Sequence, residues 1–327
     1  MSERKIAYAN ASSELARLTD SEVIARLERA TALGEGIGGP TYRLDIAGVP
    51  TFVKRIPLTE VEQQNPMSTA NIFDLPTHYQ YGVGSAGFGA WRELQAQLMT
   101  TEWVLAGECP SFPLLYHWRV LSREPQTTGD AWWHERWERN AQIDARHQAI
   151  DRATASVVVF LEFAPAHVHE WLHDHPDALE RVETELLEAV DVMNRNGLLH
   201  FDAHFHNVMA DDDRIYITDF GLATSTQFEL SAAERAFIST HGAYDRAMSS
   251  LMLAMTAARL NGHAEPIDHV RQVAKVGGPA ESGGPADGVL ARHAAAAVVL
   301  HDFFEALQAS KRSAYPEEAI EAALAAR

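Results

Sequence analysis

Two stretches of this 327-residue chain set oxygen-bearing side chains at intervals that suit chemistry. The first is His200-Phe201-Asp202-Ala203-His204-Phe205-His206-Asn207, and the second is Asp219-Phe220-Gly221. Between them Val208-Met209 and Ile215 to Thr218 flank Asp211-Asp212-Asp213, which reads as a short hairpin with a solvated turn. Folding that hairpin back returns Asp219 alongside Asn207. A hard cation such as Mg²⁺ takes carboxylate and amide oxygens and keeps its other positions for phosphate and water. Asn207 and Asp219 are therefore the candidate metal ligands. Asp202, one loop away, is placed to orient an acceptor hydroxyl and take its proton.

A rival pattern is His169-Glu170-Trp171-Leu172-His173. This H-E-x-x-H sequence can, on a helix, turn two imidazoles to one face for zinc, with Glu170 as base. In a chain with 16 histidines such a match arises cheaply, and His175 is too close in sequence to complete the site. Zinc hydrolysis is the minor alternative.

Leu15 and Leu18, then Ile24, Leu27 and Ala30, recur at helical spacing with Asp20 or Ser21 as N-cap. They predict that the chain opens in helix, stopped by Gly34. Gly34-Glu35-Gly36-Ile37-Gly38-Gly39-Pro40 reads as a loop with no clear strand before it. Tyr42, Leu44 and Ile46, a turn near Gly48, and Thr51 to Ile56 then read as a β-hairpin. Residues 57–90, rich in Gln, Asn, Pro, Ser and Gly, predict a long surface loop or lid. Ala90 to Trp103 reads as a helix and Leu114 to Leu121 as a strand. The polar stretch 122–154 reads as a second insertion, with Trp132, Trp133 and Trp137 on one helix face. Val157 to Leu161 is a buried β-branched strand ended by Pro165. Beyond it Leu179, Val182, Leu186, Val190 and Met193 mark an amphipathic helix closed by Gly197. From Leu230 the pattern is helical, apart from the Gly/Pro-rich stretch 277–288. A β-rich part followed by a helical part predicts two lobes with a ligand cleft between them.

Acidic and basic side chains number 45 against 27, a formal charge of −18, and no Lys/Arg-rich run offsets it. That balance repels a polyanionic backbone and excludes a nucleic-acid groove. The single cysteine, Cys109, excludes an internal disulfide and a Cys-based zinc ribbon. No apolar run reaches membrane-spanning length, and the first residues lack a signal-peptide layout. The expectation is a cytoplasmic protein with neither membrane nor nucleic-acid partner. Among the 27 basic residues only Lys5, Lys54, Lys275 and Lys311 are lysines.

Together, H-x-D-x-x-x-x-N and the following D-F-G resemble the motifs of the protein-kinase-like superfamily, and the resemblance extends over residues 31–260. Gly34, Gly36 and Gly39 match the G-x-G-x-x-G loop that covers phosphates in that family. Lys54, in Phe52-Val53-Lys54, matches the phosphate-pairing lysine, and a point-charge ammonium suits that task in a chain that otherwise uses arginine. The resemblance further implies a helix glutamate paired with Lys54, for which Glu93 is the candidate and Glu102 the fallback. It places Leu161, Glu162 and Ala164 at an interlobe hinge whose backbone meets adenine.

The fold implied is α+β and bilobal, a small β-rich N-lobe and a larger helical C-lobe with ATP in the cleft. Residues 1–30 would be a helical extension, 31–162 the N-lobe with insertions near 57–90 and 122–154, and 163–327 the C-lobe. The implied activity is ATP- and Mg²⁺-dependent transfer of the γ-phosphoryl group to a hydroxyl-bearing acceptor, carried by Lys54, Glu93, Asp202, Asn207 and Asp219.

Departures from the family pattern shape the acceptor. Phe201 replaces the H-R-D arginine that would read a phosphorylated activation loop, and His204 replaces the catalytic-loop lysine. No A-P-E motif follows Gly221, so the peptide-docking platform is short or missing. A Ser/Thr protein-kinase-like enzyme is the first reading. Asp202-x-His204 resembles aminoglycoside and choline phosphotransferases, which makes a small-molecule kinase the alternative. A pseudokinase acting as a binding module is the third class; its signature, lost metal or phosphate ligands, is absent. His200 reads as scaffold.

Overall fold

The apolar alternation in the first half of the chain builds a five-stranded antiparallel sheet whose strands lie in the spatial order Thr31–Gly36, Gly39–Ile46, Val49–Leu58, Ala155–Glu162 and Leu115–Ser122. The computed structural model describes residues 3–36, 38–82, 84–126, 132–276 and 286–326. Ile37 of the glycine-rich stretch, most of the Gly/Pro-rich stretch 277–288 and the side chain of Trp132 lie outside the described residues. The chain divides into two units, Met1–Ala164 with Asp219–Ser231, and Pro165–Thr218 with Ala232–Arg327. The architecture is α+β.

In the first unit α1 (Glu3–Arg17) and α2 (Asp20–Leu27) precede β1 (Thr31–Gly36), β2 (Gly39–Ile46) and β3 (Val49–Leu58). Then come α3 (Glu60–Gln64), α4 (Ala90–Ala106), β4 (Leu115–Ser122), α5 (Trp132–Arg136), α6 (Ala141–Asp151) and β5 (Ala155–Glu162). The expected opening helix is two helices. Thr19, not Asp20 or Ser21, is the cap, in a reciprocal box with Glu22. A strand does precede Gly34, because β1 runs through Gly34 and finds its hydrogen-bond partners on β2.

Central β5 is buried on both faces. Val157, Val159 and Leu161 pack with Trp91 and Leu94 of α4. On the opposite face Arg119 of β4, paired with Val158, donates to Leu15 O of α1 at 2.7 Å. The N-terminal helix is thus a covering layer of the sheet, anchored by Arg4 to Glu162, Pro110 O and Phe112 O.

Residues 57–90 are not a surface lid. Leu75, Tyr79 and Phe88 form a buried cluster with Trp137 and Ile143 of the second insertion, and Trp133 packs against it. The two insertions make a small second core. Polar composition misled because Gln80 and Glu62 are buried with partners: Gln80 donates to Leu222 O, and Glu62 closes a capping box with Thr59.

The second unit begins with β6 (Ala166–His167), α7 (Val168–Asp174), α8 (Leu179–Arg195) and β7 (Leu198–Leu199). The hairpin β8 (Val208–Ala210) and β9 (Ile215–Ile217) joins β6 in a three-stranded sheet. Asp211 Oδ1 accepts from the N–H groups of Asp213 and Arg214, which fixes the expected turn. Then follow α9 (Ala232–Thr240), α10 (Tyr244–Leu260), α11 (Pro266–Val276), α12 (Asp287–Ala309) and α13 (Glu317–Ala325). Among the described residues no helix is long and apolar enough to cross a membrane.

Candidate active site

Lys54 lies in the middle of β3, between Thr41 of β2 and Val159 of β5, and its side chain points into the first unit. It is 6% exposed. Its Nζ donates to Glu93 Oε1 and Asp219 Oδ1, both at 2.8 Å. Glu93 is 3% exposed on α4, whereas the Asp219 side chain is 46% exposed. Burial alone would depress the Lys54 ammonium, but Asp219 and Glu93 outweigh it and hold the group above its ordinary value. Burial, with the Asp219 charge beside it, pushes Glu93 up against the pull of Lys54. The cation is therefore fixed, and its exposed partner Asp219 is the carboxylate that solvent and ligands can reach. Glu102, the fallback for Glu93, is exposed.

The tip of the β1–β2 hairpin stands over this lysine. A side-chain carbon at Gly38 would fall 2.7 Å from both Cε and Nζ of Lys54, so a larger residue there would make the end of the lysine or the hairpin shift. Gly39 has φ +105° and no room for a side chain against Arg55 O. Gly36 pairs with Gly39 across the hairpin. Gly34 has open space around it and needs no glycine on steric grounds. The motif pattern pointed to 34, 36 and 39; of Gly34, Gly38 and Gly39, the one that faces the end of Lys54 is Gly38.

Leu161 and Glu162 end β5, and their position follows from the ladder with β3 and β4. The Glu162 N–H donates to Leu114 O at 2.9 Å, and its carboxylate receives Arg4 Nε and the Leu114 N–H. The Glu162 N–H is committed within the first unit. Past the strand end come Phe163, whose ring lies under the Arg43 guanidinium, and the buried Ala164.

The loop of the second unit is built locally. His200 is fully buried, accepts the Asp202 N–H at Nδ1 and meets Thr218 O at Nε2, which assigns its proton to Nε2. It ties the loop to the residue before Asp219, as a scaffold histidine does. Asn207 Nδ2 donates to Asp202 Oδ2 at 3.0 Å and Asp202 O at 2.9 Å. Oδ1 is then the Asn207 atom able to ligate a cation. Thr218 N–H and Oγ1 both donate to Asn207 O, so the chain leaves Asn207's neighbour directly for Asp219. Carboxylate and amide oxygens fit Mg²⁺ in kind. His204 Nε2 stands 3.6 Å from Asp202 Oδ1.

Asp245 was not singled out for a role in the sequence, yet it holds this loop. Its carboxylate accepts the N–H of His200 at 2.7 Å and of Phe201 at 2.9 Å. Phe201 has φ +64°, a left-handed conformation unfavourable for a bulky residue, and those two bonds secure it. Its ring packs on Phe237 and Tyr244 in an aromatic cluster. Burial pushes Asp245 up to about 6. The available signal was an aspartate on the apolar face of α10, beside Tyr244 and Met248.

His169 and His173, the two imidazoles of the H-E-x-x-H pattern, and Glu170 all fall on α7. Among the described residues the group of three side chains close enough to hold a metal ion is His301, Asp302 and Glu305 on α12, and there Arg271 pairs with both carboxylates. His169 instead faces His206, with ring centroids 4.4 Å apart. No protein-family model matches this chain, and no curated protein matches it.

Proposed function

We propose that this protein is an ATP- and Mg²⁺-dependent phosphotransferase whose two units are the lobes of a protein-kinase-like fold. The observation that carries the reading is the buried Lys54 ammonium held between Glu93 and Asp219 under a glycine hairpin that a side chain at residue 38 would obstruct. Burying such a network can cost as much as its ion pairs return, so stability alone is a weak reason for this arrangement. The same hairpin, lysine, glutamate and aspartate occur in the order the family resemblance implies.

In this reading Lys54 neutralises phosphate oxygens, and Glu93 keeps its ammonium aimed there. Asn207 Oδ1 and Asp219 are the groups that would hold the metal. Mg²⁺ held there would supply positive charge to offset that developing on the phosphoryl group. Asp202, oriented by Asn207, accepts the proton of the acceptor hydroxyl. Most of the rate comes from positioning and charge neutralisation rather than from covalent chemistry.

A protein Ser/Thr hydroxyl is the first acceptor to test. A small-molecule acceptor is favoured by one observation: Phe201 is packed among aromatics, so the loop has no arginine with which to sense a phosphorylated segment. Incubation with labelled ATP and Mg²⁺ decides. Label in this chain or an added protein supports a protein kinase, and label in a metabolite pool a small-molecule kinase. No transfer to any of them, with no ATP binding, overturns the proposal.

A further inference from the structure

Helix α4 starts without a cap of its own. Gly89, at its N-cap, has no side chain to receive the free N–H groups of the first turn, a place where Ser, Thr, Asp or Asn usually serves. Glu62, from the polar segment before it, supplies the acceptor. The Ala90 N–H donates to Glu62 Oε1 at 2.8 Å, and Trp91 Nε1 donates to Glu62 O at 2.9 Å. Arg92 Nε donates to Thr69 O at 2.6 Å. Residues 90, 91 and 92 are thus each tied to the 57–90 segment, and the next residue is Glu93.

The rest of Glu62 is equally committed. Oε2 accepts the Thr59 N–H and Oγ1, and lies 2.9 Å from Arg146 Nη1 of α6. Glu62 and Arg146 are each 2% exposed. Arg146 and its neighbours hold the Glu62 carboxylate ionised, below its ordinary value, despite burial. A side-chain carbon at Gly89 would come 3.1 Å from Glu62 Oε1, so a larger residue there would push the carboxylate aside by a few tenths of an ångström. A negative charge at this helix end is also favoured by the helix dipole.

We infer that Glu62, backed by Arg146, is a positioning residue that sets Glu93 against Lys54, with the two insertions acting as an external cap for α4. A sliding of about 1 Å at the helix start would take the 2.8 Å contact between Glu93 and Lys54 out of hydrogen-bond range. The catalytic meaning of this device rests on the phosphotransferase reading, but the geometry does not.

The test is therefore the acylation rate of Lys54 by a water-soluble N-hydroxysuccinimide acetate, measured on the full chain by peptide mass spectrometry with exposed Lys275 as reference. Glu93→Gln sets the scale: loss of one carboxylate partner raises Lys54 labelling relative to Lys275 by about tenfold, one pKa unit. The paired variant Glu62→Gln/Arg146→Met removes both charges at similar volume and is expected to approach that tenfold rise. Gly89→Ala keeps every charge but displaces the carboxylate, and is expected to raise labelling about threefold. A purely structural role would lower the unfolding midpoint and leave the labelling ratio, read well below it, unchanged. Wild-type labelling in Gly89→Ala and in the paired variant overturns the inference. If the paired variant does not fold, Gly89→Ala alone decides. Absent phosphotransfer in wild type, with the labelling rise intact, overturns the functional reading and spares this one.

Discussion

The two regions that carry candidate chemistry are built in opposite ways. Around Asp202 the candidate groups lie within a few residues of one loop, and side-chain hydrogen bonds within it set their geometry, Asn207 Nδ2 to Asp202 and Asp202 N–H to His200 Nδ1, with Asp245 holding the loop from outside. Around Lys54 the three charged groups come from a strand, a helix and a distant segment, and nothing local brings them together. A locally wired site survives as long as its loop does. A site assembled from three elements depends on every contact that fixes their relative placement, including those of residues that never touch a ligand.

Alanine at either aspartate should have the largest effect and puts both regions to the same measure. Asp202→Ala and Asp219→Ala are each expected to reduce phosphoryl transfer by about 10³-fold or more. Asp219→Ala should also weaken Mg-ATP binding, read by calorimetry, whereas Asp202→Ala should not. Turnover within tenfold of wild type in either variant would break the assignment.

Lys54→Met tests the dependence on tertiary assembly. It leaves the buried Glu93 carboxylate without its cation beside the half-exposed Asp219, and unfolding by denaturant should show a loss of about 3–5 kcal/mol. A loss near zero would show that the cation is not structurally required.

Gly38→Ala and Gly34→Ala separate the glycine that touches Lys54 from the one that does not. The first should cut turnover about tenfold by pressing on the end of Lys54 and shifting it or the hairpin, while the second stays within about twofold. Equal effects would return weight to the motif spacing.

The smallest effect belongs to the loop. Asp245 ionises at about 6 in the folded protein against an ordinary 3.8. The folded state binds this proton more tightly than the unfolded chain, so its contribution to stability is full below pH 3.8 and lost as pH rises to about 6. Asp245→Asn lacks that slope. The stability difference, wild type minus variant, should fall across this window and stay flat above it, as followed by urea unfolding at stepped pH.

Much of the frame was readable. The β2–β3 hairpin, β5, α4, α8 and the β8–β9 hairpin follow from apolar periodicity and turn residues, and they sit where those patterns place them. Less readable was the stretch 57–90, whose Gln, Asn and Ser suggested solvent. Burial there rests on partners from elsewhere in the chain, such as Leu222 O for Gln80 and Arg146 for Glu62, and composition carries no record of partners. β1 was hidden for a related reason, since a glycine-containing strand has few side chains to show a period and depends on pairing with β2.

Sequence alone determined the candidate groups: a histidine, an aspartate and an asparagine at loop spacing, an aspartate before Phe-Gly, and a rare lysine closing a β-hairpin. Their short separation in the Asp202 loop made local geometry follow from local order. Only the tertiary structure decided that Gly38 rather than Gly34 meets Lys54, that Asp245 holds the loop, and that Glu62 caps the helix of Glu93. Each of these is a contact across a long stretch of chain, set by how strands and helices pack, and no local pattern encodes it.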